Sequence, residues 1–447
     1  MEAKKRFMSF DITKLVDPPM PSYTFALYSR DLFEKSKFKD YDSLLENKIA
    51  RSQARAKHLA WILESGNVTR PHESKRDNGN VPKTTSVQFL NAEYIATFNL
   101  GTDDHKFKRY LLVDTGSDLV WWQCGPCSKN KCYEQKNEPL YDLTKSRTYQ
   151  KVNCRAQSTK CLLRPKIIEC SSYENTCVYD YNYEDGGRTK GWIAEDVITF
   201  VLDQKTERIL FGCGRDQTSG KPFDGDFSGI AGLGRRRAGG YSLPSQFGAD
   251  IMAICLPDFF TTGKSTISFH ISPFKRKTSA KLLPNPALPL FYFVNLFKVF
   301  INDKEVPLPR NIGNDMNSRY FVDTGATFSF FPKGIYKVFR DTFRKEAGFP
   351  LYKSPPSQFD TCYKADPGVA PDFPTVKMYF GQQKPENLLF LAERLVVVHQ
   401  QGLFCLAFMS WKNPVTIIGS YQLQGVGLTF DTATDTLSFD IDACGAD

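Results

Sequence analysis

Two short stretches of the chain carry residues whose types and spacing could do chemistry together. The first is Leu111-Leu112-Val113-Asp114-Thr115-Gly116-Ser117-Asp118, and the second is Tyr320-Phe321-Val322-Asp323-Thr324-Gly325-Ala326-Thr327. Each runs from bulky apolar residues into an acid, then Thr-Gly and a small residue. A carboxylate at the end of an apolar run is expensive to desolvate and needs a reason. Finding it twice, in similar surroundings, suggests a duplicated unit whose two acids meet. Two carboxyl groups in contact cannot both ionise cheaply, so the pair keeps one proton. The charged member can then take a proton from water while the neutral member donates one to a substrate oxygen.

Such a pair has to be held by rigid elements. The apolar runs before each acid read as buried strands, and the following glycine as the turn that closes them. From about Phe89 the chain is a succession of short strands such as Glu93–Gly101, with few helical segments apart from Gly334–Glu346. That texture predicts a mainly antiparallel β architecture. Ile230-Ala231-Gly232 follows the first acid and Ile417-Ile418-Gly419 the second, a further sign of duplication. Ahead of this, Tyr41, Leu44, Leu45, Ile49, Ala56, Leu59, Ala60 and Leu63 recur mostly at helical spacing, with Arg51, Arg55 and Lys57 among them. Gly66 and Pro71 end the pattern, and Thr69–Thr85 reads as an exposed linker. Asn67-Val68-Thr69 is a glycosylation sequon.

The formal net charge is +9, and residues 1–85, with 16 Lys or Arg against 11 Asp or Glu, hold more than half of the excess. The even count of 12 cysteines, all between residues 124 and 444, argues for an oxidising compartment and disulfides. Cys124-x2-Cys127 with Cys132 could open a zinc site, but a second close pair is missing and no histidine lies nearby, so no metal is expected. The N-terminus, broken by Lys4, Lys5, Arg6 and Asp11, carries no apolar signal core. The expectation is a secreted protein whose signal peptide is missing from this sequence. No apolar run is long enough for a transmembrane helix. The five histidines are scattered, the Gly-rich spots lack phosphate-loop spacing, and Arg235-Arg236-Arg237 and Lys275-Arg276-Lys277 read as solvated loops. No cofactor and no nucleic-acid partner are expected.

The paired Asp-Thr-Gly motifs, with Trp121-Trp122-Gln123-Cys124 after the first, resemble the pepsin-like aspartic peptidases, in their cysteine-rich, nepenthesin-like plant branch. The resemblance covers about residues 89–447. It implies a mainly β, bilobal pepsin-like fold with the active site in the cleft between two related β lobes, plus a helical N-terminal prosegment. Its parts would be residues 1–88 as prosegment and linker, 89–265 as N-terminal lobe and 266–447 as C-terminal lobe. It implies an aspartic endopeptidase acting on polypeptides at acidic pH, a monomer, secreted to the apoplast or vacuole. Asp114 and Asp323 would be catalytic. Thr115 and Thr324 would bond across the lobes, with Gly116 and Gly325 beside them, and Ser117 would donate to the outer oxygen of Asp114. Ala326 stands where most relatives carry Thr or Ser. The missing donor should raise the pair's upper pKa and give a less acidic optimum. Tyr183, Asp185 and Gly186 would form a substrate-covering flap, with Tyr183 bonded to Trp121. Glu184 and Gly187 depart from the flap pattern.

The same resemblance pairs Cys124 with Cys127, Cys132 with Cys213, Cys154 with Cys177, Cys161 with Cys170, Cys255 with Cys444, and Cys362 with Cys405. Spacing alone selects no connectivity. It implies that the basic N-terminal segment lays cations across an acidic cleft until pH falls. The alternative from the same family is a binding protein without competent catalysis, like the plant xylanase inhibitors.

Overall fold

The computed structural model describes residues 24–65, 94–101, 107–127, 131–135, 138–156, 161, 167–182, 188–199, 206–217, 227–236, 240–258, 265–270, 278–286, 288–308, 320–365, 371–380, 387–390, 392–399 and 402–441. The chain is mainly β, its strands arranged in two related lobes around Asp114 and Asp323.

Each lobe is built on one repeated piece. In the first, β3 (Phe107–Asp114) runs antiparallel to β2 (Tyr94–Leu100) and parallel to Gly229–Gly232, which places Gly232 opposite Asp114. In the second, Tyr320–Asp323 runs antiparallel to Tyr292–Val294 and parallel to Thr416–Gly419, which places Gly419 opposite Asp323. The strand after each acid, β4 (Trp121–Gly125) or Ser329–Pro332, returns antiparallel against the same glycine-ended strand.

The apolar runs form these strands because both faces are covered, so no alternation of polar residues is needed. The two glycines are required by packing. A Cβ at Gly232 would lie 2.5 Å from the Asp118 backbone, and one at Gly419 would lie 2.5 Å from the Phe328 backbone. That crowding explains why each apolar pair ends in glycine.

The described part of the N-terminal segment packs into the core. β1 (Thr24–Ser29) lies between β2 and Ser265–His270, with Ala26 opposite Thr97 and Phe25 opposite Ile267. The two-residue period of a strand sends Phe25 and Leu27 into the large apolar cluster and Ala26 and Tyr28 into a second one. Burying Phe25 and Leu27, each 1% exposed or less, contributes roughly 1.5–3 kcal/mol apiece. This strand is not legible in the sequence. It is short and follows Pro18, Pro19 and Pro21, which suggest a loop.

Chain then passes through a short helix, α1 (Asp31–Glu34), into α2 (Tyr41–Ser65), where Leu45, Ile49, Ala56 and Leu59 join the same core. The expected helix in the second lobe is present as Lys333–Ala347, burying Ile335, Tyr336, Phe339 and Phe343 and ending at Gly348 with φ 67°. That conformation suits a helix C-terminus and favours glycine.

The cysteine connectivity differs from the expected one. The pairs are Cys124–Cys213, Cys127–Cys132, Cys154–Cys170, Cys161–Cys177 and Cys362–Cys405. Only the last agrees; the pairings Cys124–Cys127, Cys132–Cys213, Cys154–Cys177 and Cys161–Cys170 are replaced. The reason is topological. Parallel pairing of β4 with the strand Thr206–Asp216 sets Cys213 opposite Trp122, so Cys124 meets Cys213 before it can turn back to Cys127. Cys255 is disulfide-bonded, and Cys444 lies outside the described residues.

Candidate active site

The two acids sit at equivalent strand ends and are buried, Asp114 at 4% exposure and Asp323 at 0%. Each folds its carboxylate back onto its own turn. Gly116 N–H donates to Asp114 Oδ1 at 2.9 Å, and Gly325 N–H donates to Asp323 Oδ1 at 3.0 Å. Beneath them the lobes are bonded together. Thr324 N–H donates to Thr115 Oγ1 at 3.0 Å, and the two threonine hydroxyls stand 3.3 Å apart. Turn donors of this kind stabilise a carboxylate by hydrogen bonding to its charged form.

Between the acids lies the guanidinium of Arg55, delivered by α2. Nη2 donates to Asp114 Oδ1 at 2.6 Å and to Asp323 Oδ1 at 3.1 Å, so one nitrogen bridges the inner oxygens of both lobes. Nη1 donates to Asp114 Oδ2 at 3.3 Å and Nε to Asp323 Oδ2 at 2.9 Å. A planar fork meeting two carboxylates is the geometry for which Arg is suited. Only glycine at position 116 leaves room for it, since a Cβ there would stand 2.1 Å from Nη2. Two further contacts seat the helix in the cleft: Phe328 N–H donates to Ser52 Oγ at 2.9 Å, and Asn413 Nδ2 donates to the Ala60 carbonyl at 3.4 Å.

The electrostatics follow from this packing. Burial raises the Asp323 carboxyl above its ordinary value; Arg55 opposes that and the neighbouring Asp114 adds to it, and the net direction is up. Burial alone would weaken the charge on Arg55, but the two carboxylates outweigh it and hold the guanidinium protonated. Two carboxylates thus share a full cation where a shared proton was expected.

Several expected residues fall differently. Ser117 is 4% exposed, and its Oγ has no hydrogen-bond partner among the described residues, so the expected bond to Asp114 is not made while Arg55 occupies the outer oxygen. Ala326 is fully buried and offers no hydroxyl to Asp323. Trp121 is fully buried in β4. Tyr183, Asp185 and Gly186, with Glu184 and Gly187, lie outside the described residues. The strands on either side of them, Cys177–Asn182 and Arg188–Thr199, are paired with Tyr181 opposite Thr189. No group of metal-ligating side chains occurs among the described residues. No described helix is long and apolar enough to cross a membrane.

Residues 94–269 match the family model described as xylanase inhibitor N-terminal, and residues 291–440 match the one described as xylanase inhibitor C-terminal. The chain belongs to the plant pepsin-like aspartic protease family. Aspartic proteinase nepenthesin-1 of Nepenthes gracilis is 28% identical over 90% of this chain and 86% of its own. A protein named Aspartic Protease in Guard Cell 2, from Arabidopsis thaliana, is 28% identical over 97% of this chain and 90% of its own. The fold resembles the crystal structure of edgp, with a TM-score of 0.62 at 22% identity, covering 80% of this chain and 92% of that one. It also resembles Basic 7S globulin from soybean, with a TM-score of 0.59 at 20% identity, covering 78% and 93%.

Arg55 was not singled out by sequence reasoning beyond its place in a basic helical stretch. Its spacing of four from Arg51 puts both on one helix face, which was the available clue.

Proposed function

We propose that the protein is an aspartic endopeptidase made in a self-blocked form. Asp114 and Asp323 would activate a water against a peptide bond at acidic pH once the segment up to residue 88 has left the cleft. The observation that supports this best is the single guanidinium nitrogen bridging both acids. It requires the two carboxylates to converge on one point in a cleft, where a water could stand after Arg55 departs.

Asp114 is assigned as the charged member, because the Ser117 hydroxyl beside it can turn towards it, whereas position 326 offers Asp323 no hydroxyl. Asp323, fully buried and without a hydroxyl at position 326, is assigned as the proton carrier. Asp114 takes a proton from water as the water oxygen bonds to the peptide carbon, and Asp323 gives its proton to the carbonyl oxygen. Asp114 then gives its proton to the nitrogen as the C–N bond breaks, and a hydroxyl of the collapsing diol returns a proton to Asp323, which regenerates the pair.

The organisation we propose is residues 1–88 as prosegment and linker, 89–265 as N-terminal lobe and 266–447 as C-terminal lobe. Tyr183, Asp185 and Gly186 would cover bound peptide, backed by Trp121. A secreted, apoplastic or vacuolar setting is supported by the disulfides, which persist in oxidising compartments.

A second reading, a binding protein on the same scaffold, draws on the xylanase-inhibitor description of the family models. The deciding experiment is cleavage of a denatured protein at about pH 3 to 6, with and without pepstatin, beside an Asp114→Asn control. Pepstatin-blocked cleavage that vanishes in the variant supports the peptidase. No cleavage from oxidised chain freed of its N-terminal segment favours the binding protein.

A further inference from the structure

The helix Lys333–Ala347 of the second lobe ends at Gly348, and the chain leaves it as Phe349-Pro350-Leu351-Tyr352-Lys353. Residues 348–354 are all exposed. Phe349 is 37% exposed, Leu351 41% and Tyr352 37%, so three of the five large apolar side chains exposed among the described residues stand within four positions of one loop. Scattered singly, such side chains are ordinary; grouped, they mark a surface that meets something. The loop is held in place from behind. Tyr352 N–H donates to the Cys362 carbonyl at 2.8 Å, Leu351 is bridged to Tyr363, and the Phe349 ring meets those of Tyr363 and Phe373 edge-on at 6.3 and 6.0 Å.

The charge around the loop is one-sided. Lys333, Lys337 and Lys345 are exposed on the helix at spacings of four and eight, which places them along one side of it. Lys353 continues the loop, and Lys364 Nζ lies 6.0 Å from the centre of the Tyr352 ring. No carboxylate among the described residues pairs with any of these five lysines. The acids of the same stretch are taken: Asp341 by Arg340 at 2.8 Å, Asp360 by Arg340 and the Tyr336 hydroxyl at 2.8 Å each, and Glu346 by Asn302 at 3.4 Å. Asp372, next to Phe373, is exposed and sets a single negative charge against the five positive ones.

We propose that this loop and its lysines dock on an anionic lipid surface: Leu351 and Tyr352, with Phe349 behind them, enter the headgroup layer, and the lysines meet lipid phosphates and carboxylates. Apolar side chains ringed by unpaired cations suit that layer, where the first leave water and the second keep both water and an opposite charge. Three apolar side chains on one loop are too few to centre a stable protein interface, which takes roughly 20–30 residues a side. The contact needs neither Asp114 nor Asp323, so it is available whether or not the cleft is filled.

The test is co-sedimentation of the full chain with vesicles. Phosphatidylcholine vesicles are compared with vesicles carrying roughly one-third phosphatidylserine, at about 0.15 M salt, where the Debye length is about 8 Å. The parent is expected to bind the anionic vesicles and not the neutral ones. The variant Lys345→Gln, Lys353→Gln, Lys364→Gln is expected to lose on the order of a hundredfold in affinity, about fivefold for each lysine near such a surface. Leu351→Ser with Tyr352→Ser is expected to lose about tenfold or more while keeping every charge. All of these side chains are exposed, so both variants keep the parent's unfolding midpoint. Recovery of the parent with neither kind of vesicle, or equally with both, overturns the proposal. So does loss in the lysine variant with none in the apolar one, which is adsorption of a basic protein by charge alone. Binding of the parent to soluble polyglutamate in place of vesicles also overturns it, and assigns the patch to an acidic polypeptide.

Discussion

The two Asp-Thr-Gly turns are the same piece of structure with one hydroxyl subtracted. Both acids end a buried strand, lie opposite a glycine, accept a bond from the glycine N–H two residues on, and meet through threonine. They differ at the third residue after the acid, which is Ser117 in the first lobe and Ala326 in the second. Asp323 is also the more buried of the two. Duplication supplies two acids and their convergence. In the proposed mechanism the departure from symmetry would let them do different jobs, because a proton moves to the site whose charge is less well supported.

The sharpest way to break this comparison is to remove one acid at a time. Asp114→Asn and Asp323→Asn are each expected to lower kcat of the freed enzyme by about a thousandfold or more, read from initial rates on a denatured protein. If either variant keeps substantial activity, the acids do not act as a pair. Next in size is Arg55→Ala, which leaves two buried carboxylates without their cation. The blocked form is expected to lose about 3–5 kcal/mol of stability at neutral pH, measured by denaturant unfolding. The loss should shrink on acidification. Asp323 is already raised by burial, and without Arg55 its charged form costs more, a cost that protonation removes.

The equivalence of the two glycines is tested by Gly232→Ala and Gly419→Ala. Each puts a methyl 2.5 Å from backbone of the segment following the acid, at Asp118 or Phe328, and is expected to cost about 1–3 kcal/mol in unfolding experiments. Similar losses in the two lobes would affirm the repeat, and a neutral result in one would break it. The smallest expected effect is the most informative about asymmetry. Ala326→Ser restores a donor near Asp323 and is expected to move the pH optimum down by about half a unit to one unit. Ser117→Ala is expected to move it up. In the blocked form Ser117→Ala should leave stability nearly unchanged, since the hydroxyl has no partner among the described residues.

Much of the frame was legible from residue order. The apolar runs ahead of Asp114 and Asp323 are strands, the helix Lys333–Ala347 follows its apolar period, and α2 covers the basic helical stretch. Other parts were not. β1 has no length or alternation to set it apart from a loop, and becomes a strand only because β2 and Ser265–His270 supply partners on both sides. The disulfides resisted for a similar reason. Cys154, Cys161, Cys170 and Cys177 lie close together however they pair, and the choice is made by how the surrounding strands stack. Arg55 looked like an ordinary charge on a basic helical stretch until its burial against the two acids was visible.

What residue order by itself determined is the chemistry on offer: two acids, each tied to a turn that cannot be built without its glycine, and a basic helix ahead of them. Those are local properties, set by steric limits and by spacing along one element. What only the tertiary structure decided is which charge meets which. The register of α2 in the cleft places Arg55, rather than Arg51 or Lys57, between Asp114 and Asp323, and gives Arg51 to Glu34. Partners hundreds of residues apart are chosen by the packing of whole elements, because a buried charge tolerates no other arrangement than the one that neutralises it.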